Sequence, residues 1–173
     1  MRIPLPLCLP LVLAACAGAP PAPAVPDNLK PPAGESLVSV LRARGVQIYE
    51  CRAKKDDPAA VEWAFVAPEA ELFDTNGKPV GHHGAGPHWQ AADGSKIVGT
   101  VKARADAPQA GAIPWLLLTA RSVAGDGTLS RVTSVQRVAT VGGVAPADGC
   151  SSATLGKTGR VAYTADYVMY APK

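Results

Sequence analysis

From about residue 35 onward the chain is organised as short runs of apolar and polar residues, each closed by a Gly, Asn or Asp turn. A period of two sends successive side chains to opposite faces, so these runs read as half-buried β-strands. Residues 46–51 alternate, with Val46, Ile48 and Glu50 on one face and Gln47, Tyr49 and Cys51 on the other. Residues 61–66 are apolar-rich and carry Trp63 and Phe65. Asn76-Gly77, after Leu72-Phe73, marks a tight turn because both residues tolerate positive φ. Asp93-Gly94 marks another, ahead of residues 96–103, where Ile97, Gly99, Val101 and Ala103 share a face. Residues 129–138 oppose Val132, Ser134, Gln136 and Val138 to Thr133, Val135 and Arg137. Residues 161–170 line up Tyr163, Ala165, Tyr167 and Met169.

Two segments are ambiguous. Residues 112–120 are almost wholly apolar around Trp115-Leu116-Leu117-Leu118, which suits a strand buried on both faces or a short buried helix. Residues 37–44 would group Leu37, Val38 and Leu41 on a helix, but a strand running through Gly45 as a bulge or bend fits its neighbours better. Several short strands at this spacing predict an all-β fold, a single-domain antiparallel sandwich or barrel. No internal repeat and no long helical period argue for anything else.

The first fifteen residues break the pattern. Arg2 precedes an apolar run over residues 3–15. This is shorter than the about 20 residues a spanning helix needs, and it has the size of a secretory signal core. Pro4, Pro6 and Pro10 further oppose a spanning helix. The run ends Leu13-Ala14-Ala15-Cys16, which reads as a bacterial lipobox: the leader is removed and Cys16 carries the acyl chains. An ordinary signal peptide with a chance cysteine is the alternative. Each buried acyl methylene adds about 0.8 kcal/mol of membrane affinity, so several chains anchor durably. Ala17, rather than an aspartate, follows the cysteine, which resembles lipoproteins sorted to the outer membrane.

Removing fifteen residues from 173 leaves 158, one domain by length. The expected organisation is a leader over 1–15, a lipidated Cys16 with a proline-rich tether over 16–34, and an all-β domain over 35–173. Six of residues 17–34 are proline, which favours extended chain at about 3.1 Å per residue. Cys8 leaves with the leader, so Cys51 and Cys150 are the cysteines of the folded domain. In an oxidising periplasm they are expected to form one disulfide. Arg2 also leaves, taking the formal charge from +3 to +2. The densest basic cluster is Arg52, Lys54 and Lys55, too small a footprint for nucleic acid.

Chemistry concentrates in Gly81-His82-His83-Gly84-Ala85-Gly86-Pro87-His88-Trp89, followed by Asp93-Gly94-Ser95. All three histidines lie here. Zinc or copper could take imidazoles, with Asp93 orienting one, and His83 and His88 are the plausible pair across the loop. Adjacent residues on a strand point apart, so His82 and His83 converge only if the backbone is not extended. The spacing lacks the helical arrangement of zinc motifs, and the expectation is no metal and no cofactor. A solvated glycine-rich loop is the plainer reading. Trp89 suits a core edge or the wall of a pocket. Ser95, His88 and Asp93 superficially form a triad, but they sit within eight residues, whereas such groups normally come from separated segments. There is no nucleophile elbow, phosphate loop or dinucleotide fingerprint. Ligand-binding candidates are therefore His83, His88, Trp89, Asp93 and Tyr167.

Taken in order, several segments resemble the domain of unknown function 3455 family, small secreted bacterial and fungal proteins. They are Gly45-Val46-Gln47-Ile48-Tyr49-Glu50-Cys51, Trp63-Ala64-Phe65, the His83–Trp89 motif, Asp93-Gly94-Ser95, Ile113-Pro114-Trp115-Leu116-Leu117, Thr140-Val141-Gly142-Gly143 and Tyr163-Thr164-Ala165-Asp166-Tyr167. His83 matches the family's usual position, while His82 and His88 stand where other residues are typical. The resemblance implies no established activity. The expected protein is an outer-membrane-anchored periplasmic lipoprotein and a non-enzymatic binding or envelope-interaction module. A small-molecule pocket, or a metal-dependent enzyme using His83, is the alternative. The expected partners are membrane lipid through Cys16 and an envelope component or small molecule, with the chain a monomer.

Overall fold

The computed structural model describes residues 24–173. The leader and Cys16, with the lipidation expected there, lie outside the described residues. Eight antiparallel strands form a closed barrel in which each strand pairs with its neighbours in sequence. They are β1 (Glu35–Ala53), β2 (Val61–Phe73), β3 (Pro79–Gly84), β4 (His88–Ala91), β5 (Lys96–Ala105), β6 (Trp115–Ala124), β7 (Ser134–Gly142) and β8 (Thr158–Pro172). The long β1 pairs with β2 on one side and β8 on the other, which closes the ring. Closure pairs the first and last strands, which an open sheet would leave as edges. Of the two expected architectures, the barrel is the one formed.

The interior is filled by Leu41, Leu72, Trp89, Ile97, Leu118, Val135, Tyr167 and Met169, among others. The expected face of β8 is the one turned inward: Tyr163, Ala165, Tyr167 and Met169 are all buried. On β1 the buried face is Gln47, Tyr49 and Cys51, while Val46 and Ile48 are half-buried on the outside.

Three local expectations differ. Gly45 is no bulge: it pairs in register with Ala70 and with Tyr163. A Cβ there would lie 2.1 Å from the Glu69 carbonyl oxygen, so glycine is required by the close approach of β2. The irregularities of β1 fall instead at Leu37/Ser39 and Ile48/Tyr49. The alternation over 129–138 becomes a strand only at Ser134. Before it, Leu129 and Val132 turn under the barrel and are both 2% exposed, so their apolar character belongs to a plug. The proline-rich segment is also not free along its whole length. Residues 27–29 form a 3-10 turn on the outer wall, and Leu29 is fully buried against Trp115, Leu117, Val138 and Val168. Gln136 Nε2 donates to the Leu29 carbonyl at 2.6 Å, and Asn28 Nδ2 to the Arg104 carbonyl at 3.1 Å. The expected tether therefore gives way to a packed strap at its C-terminal end.

Cys51 and Cys150 form the expected disulfide, with Cα atoms 5.2 Å apart. It ties the connection between β7 and β8 to β1. Tyr49 Oη donates to the Gly143 carbonyl at 2.7 Å, and Trp63 Nε1 to the Asp148 carbonyl at 2.8 Å, at the two ends of the same connection.

Candidate functional site

β3 and β4 are short, and their hairpin is the low point of the barrel wall. β3 pairs with β2 only from Ala70 onward, and β4 pairs with β5 only as far as Val98. Residues 61–69 of β2 and 100–105 of β5 consequently have a strand partner on one side alone. Two missing strands correspond to a gap of about 14 Å at the usual spacing. The opening leads into a cavity of about 500 Å³.

Its floor is aromatic. His83 on β3 and Trp89 on β4 are a register pair, so both point inward, and their rings stack at 4.6 Å and 17°. Tyr167 on β8 meets His83 at 4.8 Å and Trp89 edge-on at 5.2 Å. Gly99 on β5 makes room for this floor: a Cβ there would fall 2.8 Å from Trp89 Cζ3. Phe65, Val66, Val101 and Pro87 lie around the opening. Among these, Phe65 and Val101 are each about half exposed (53% and 52%), an apolar lip facing solvent.

His83 is 4% exposed, and its Nδ1 lies 2.7 Å from the His88 carbonyl oxygen. A carbonyl only accepts, so Nδ1 carries the proton and Nε2 is left as an acceptor. Burial pulls the His83 imidazole down to about pH 3, against the weaker upward pull of that hydrogen bond, so it is neutral at ordinary pH.

The walls carry two cations. Arg137 on β7 is the register partner of Tyr167 and shares its inward face. Its Nε and Nη2 donate to the Pro114 carbonyl at 3.0 and 2.8 Å, which fixes the guanidinium. Arg104 reaches the cavity through a bulge in β5: Val101 pairs with Leu118, but Ala103 pairs with Leu117 and Arg104 with Leu116. The extra residue reverses the parity expected for 96–103, turning Ala103 out and Arg104 in. No Asp or Glu lines the cavity, and neither arginine belongs to an ion pair among the described residues. Burial raises the Tyr163 and Tyr167 hydroxyls above their ordinary range, and the two lie 3.4 Å apart.

Three of the five candidates thus meet: His83, Trp89 and Tyr167. His88 does not join them. It pairs with Gly84 and turns outward, with Nδ1 2.8 Å from the Ala85 carbonyl oxygen and its ring edge-on to His82 at 5.7 Å. The strands are extended here, so the proposed His83–His88 ligand pair does not converge. Among the described residues no three His, Cys, Asp or Glu side chains gather as a metal site. Asp93 lies at the opposite end of the barrel. It accepts from Ser95 N at 2.9 Å, Ser95 Oγ at 2.6 Å, Thr128 N at 2.7 Å and Thr128 Oγ1, which holds its carboxyl well below the usual carboxylate range. This is a tie between two turns. Ser95 Oγ also accepts from Leu129 N, and no histidine is bonded to it, so the nominal triad is not assembled. A second hollow of about 610 Å³ at that end touches Asp93, Leu37, Val38 and Leu129, but neither a cationic nor an aromatic side chain lines it.

Gln47, Tyr49, Arg104 and Arg137 were not candidates from sequence. For Arg137 the signal was its parity with Val135 on an alternating strand. For Arg104 no signal existed, because a bulge reversed the face. Together the residues can desolvate an apolar or flat molecule, present it to aromatic faces and hold it beside the two cations.

Comparison with curated proteins and with solved structures returns no match. A family described as Protein of unknown function (DUF3455) matches residues 32–171, nearly the whole barrel, and the chain belongs to that family.

Proposed function

We propose that this protein is a lipid-anchored binding module of the periplasm, held at the outer membrane, whose barrel admits a small molecule through its side. The observation that carries the reading is the roughly 500 Å³ cavity with the His83–Trp89–Tyr167 floor, open where β3 and β4 stop short. An eight-stranded barrel has an interior suited to its own side chains or to one small ligand. Here the far end is plugged by Leu129 and Val132, and the near end is left for a guest. The anchor is supported by Leu13-Ala14-Ala15-Cys16 and by the signal-length run before it.

The test is titration with the neutral apolar fluorophore N-phenyl-1-naphthylamine. The expected result is saturable binding by the native protein and its loss in Leu116→Trp, which fills the cavity from β6, with the thermal midpoint retained. An absence of uptake by the native protein, or equal uptake by the filled variant, would overturn the reading. The anchor is tested by labelled palmitate: incorporation should require Cys16 and stop with globomycin. Normal maturation without label would remove that part.

A further inference from the structure

We infer that the ligand of this cavity is an amphipathic acid, an apolar or aromatic body carrying one carboxylate or comparable anionic group, which Arg104 and Arg137 receive. The inference rests on the proposed binding role and adds the chemical class of the ligand.

The polar balance of the wall points this way. Its titratable members are two arginines, two tyrosines and a histidine, with no carboxylate among them. Burial keeps His83 uncharged, so it does not add to the positive charge, and the tyrosines stay neutral as well. Arg137 spends two N–H groups on one backbone carbonyl, and a guanidinium has five. Arg137 is half-buried and Arg104 exposed at the opening; a half-buried cation beside apolar walls is ordinarily paired with an anion. The other polar groups add donors. Trp89 Nε1 and Gln47 Nε2 are both buried without a hydrogen bond, although the Tyr163 hydroxyl is near Gln47. An indole N–H can only donate, so these two buried donors of the wall lack an acceptor. An anionic oxygen supplies what is missing, and the planar fork of arginine matches a carboxylate. The stacked His83–Trp89 pair and the Phe65–Val101 lip, in turn, select an apolar remainder.

The experiment compares 2-naphthoic acid with 2-naphthamide, a neutral molecule of nearly the same shape, each displacing N-phenyl-1-naphthylamine from the native protein. The acid should bind at least about tenfold tighter, the scale of one charge-assisted hydrogen bond. Raising salt should narrow the gap, because the charges near the opening are partly screened. Arg104→Gln should bring acid and amide close together through a loss of acid affinity. Arg137→Gln should do the same; because Arg137 also secures Pro114, Arg104→Gln decides if that second variant fails to fold. Equal binding of acid and amide by the native protein, or an acid preference that survives Arg104→Gln in full, would overturn this inference and leave the cavity itself intact. If the fluorophore does not bind the native protein at all, the fault lies in the proposed function instead.

Discussion

His83 shows how much a single position can conceal. Its sequence neighbours suggested a metal or a solvated loop, yet one strand-parity step separates it from His82 and places it on the cavity floor, 4% exposed. The consequence is measurable. In the unfolded chain a histidine takes up its proton near pH 6.5, whereas in the folded protein burial delays it to about 3. Between these values the unfolded state binds more protons, so stability falls as pH drops, with a slope approaching about 1.4 kcal/mol per unit. Above pH 6.5 the effect is fully present as retained stability. Urea unfolding at pH 7, 6 and 5 should show this decline, and His83→Gln should flatten it over that window. Parallel slopes for the two proteins would contradict a buried neutral His83. Trp89 and Tyr167 were legible as inward-facing aromatics because regular alternation carries that information. Arg104 was not, since its orientation is set by one extra residue whose position depends on pairing with β6.

At the scale of the element, strands with clean alternation were readable and the pieces that finish the barrel were not. The face of β8 follows from period two alone. Leu129 and Val132, three residues apart and so on opposite faces of any strand, belong to a plug, because burial at a barrel end requires only an apolar residue over a hole. Residues 17–34 read as tether on composition, since six of the eighteen are proline and a lone Leu29 cannot advertise its partners. The structure gives Leu29 five apolar neighbours' worth of wall by joining it to the Trp115–Leu117–Val138–Val168 patch and the flanking Tyr170. Leu29→Ala should therefore cost about 2–5 kcal/mol, the range for truncating a fully buried leucine. Chemical denaturation would measure it; a change below about 0.5 kcal/mol would mean that the strap does not hold. The strap begins ahead of residues 32–171, so Leu29 lies outside the part shared with the family.

For the whole molecule, the choice between sandwich and barrel lay beyond period and turn signals. It depends on the 19-residue β1 meeting both β2 and β8, a contact between the two ends of the domain. Such long-range pairings are slow to find and leave no local trace. The disulfide spans a similar distance, joining residues 99 apart, and ties the connection leading into β8 to the strand that β8 must meet. On a chain-entropy view a loop of that length contributes up to about 4.7 kcal/mol. Unfolding in the presence of dithiothreitol, or of Cys150→Ser, should lose a large part of this, and an unchanged midpoint would show the bridge to be idle.

The strap also gives the molecule a heading. Asn28 is fastened to Arg104, a residue of the cavity, while Gly34 sits beside Lys173 at the far end. The polypeptide therefore arrives at the barrel from the side of the opening. With Cys16 acylated, twelve Cα-to-Cα steps separate Cys16 from Asn28, a leash of at most about 43 Å even fully stretched. The mouth would then be moored toward the bilayer and the plugged end turned to the periplasm. On the proposed reading, a guest would be exchanged within that bounded distance of the membrane surface.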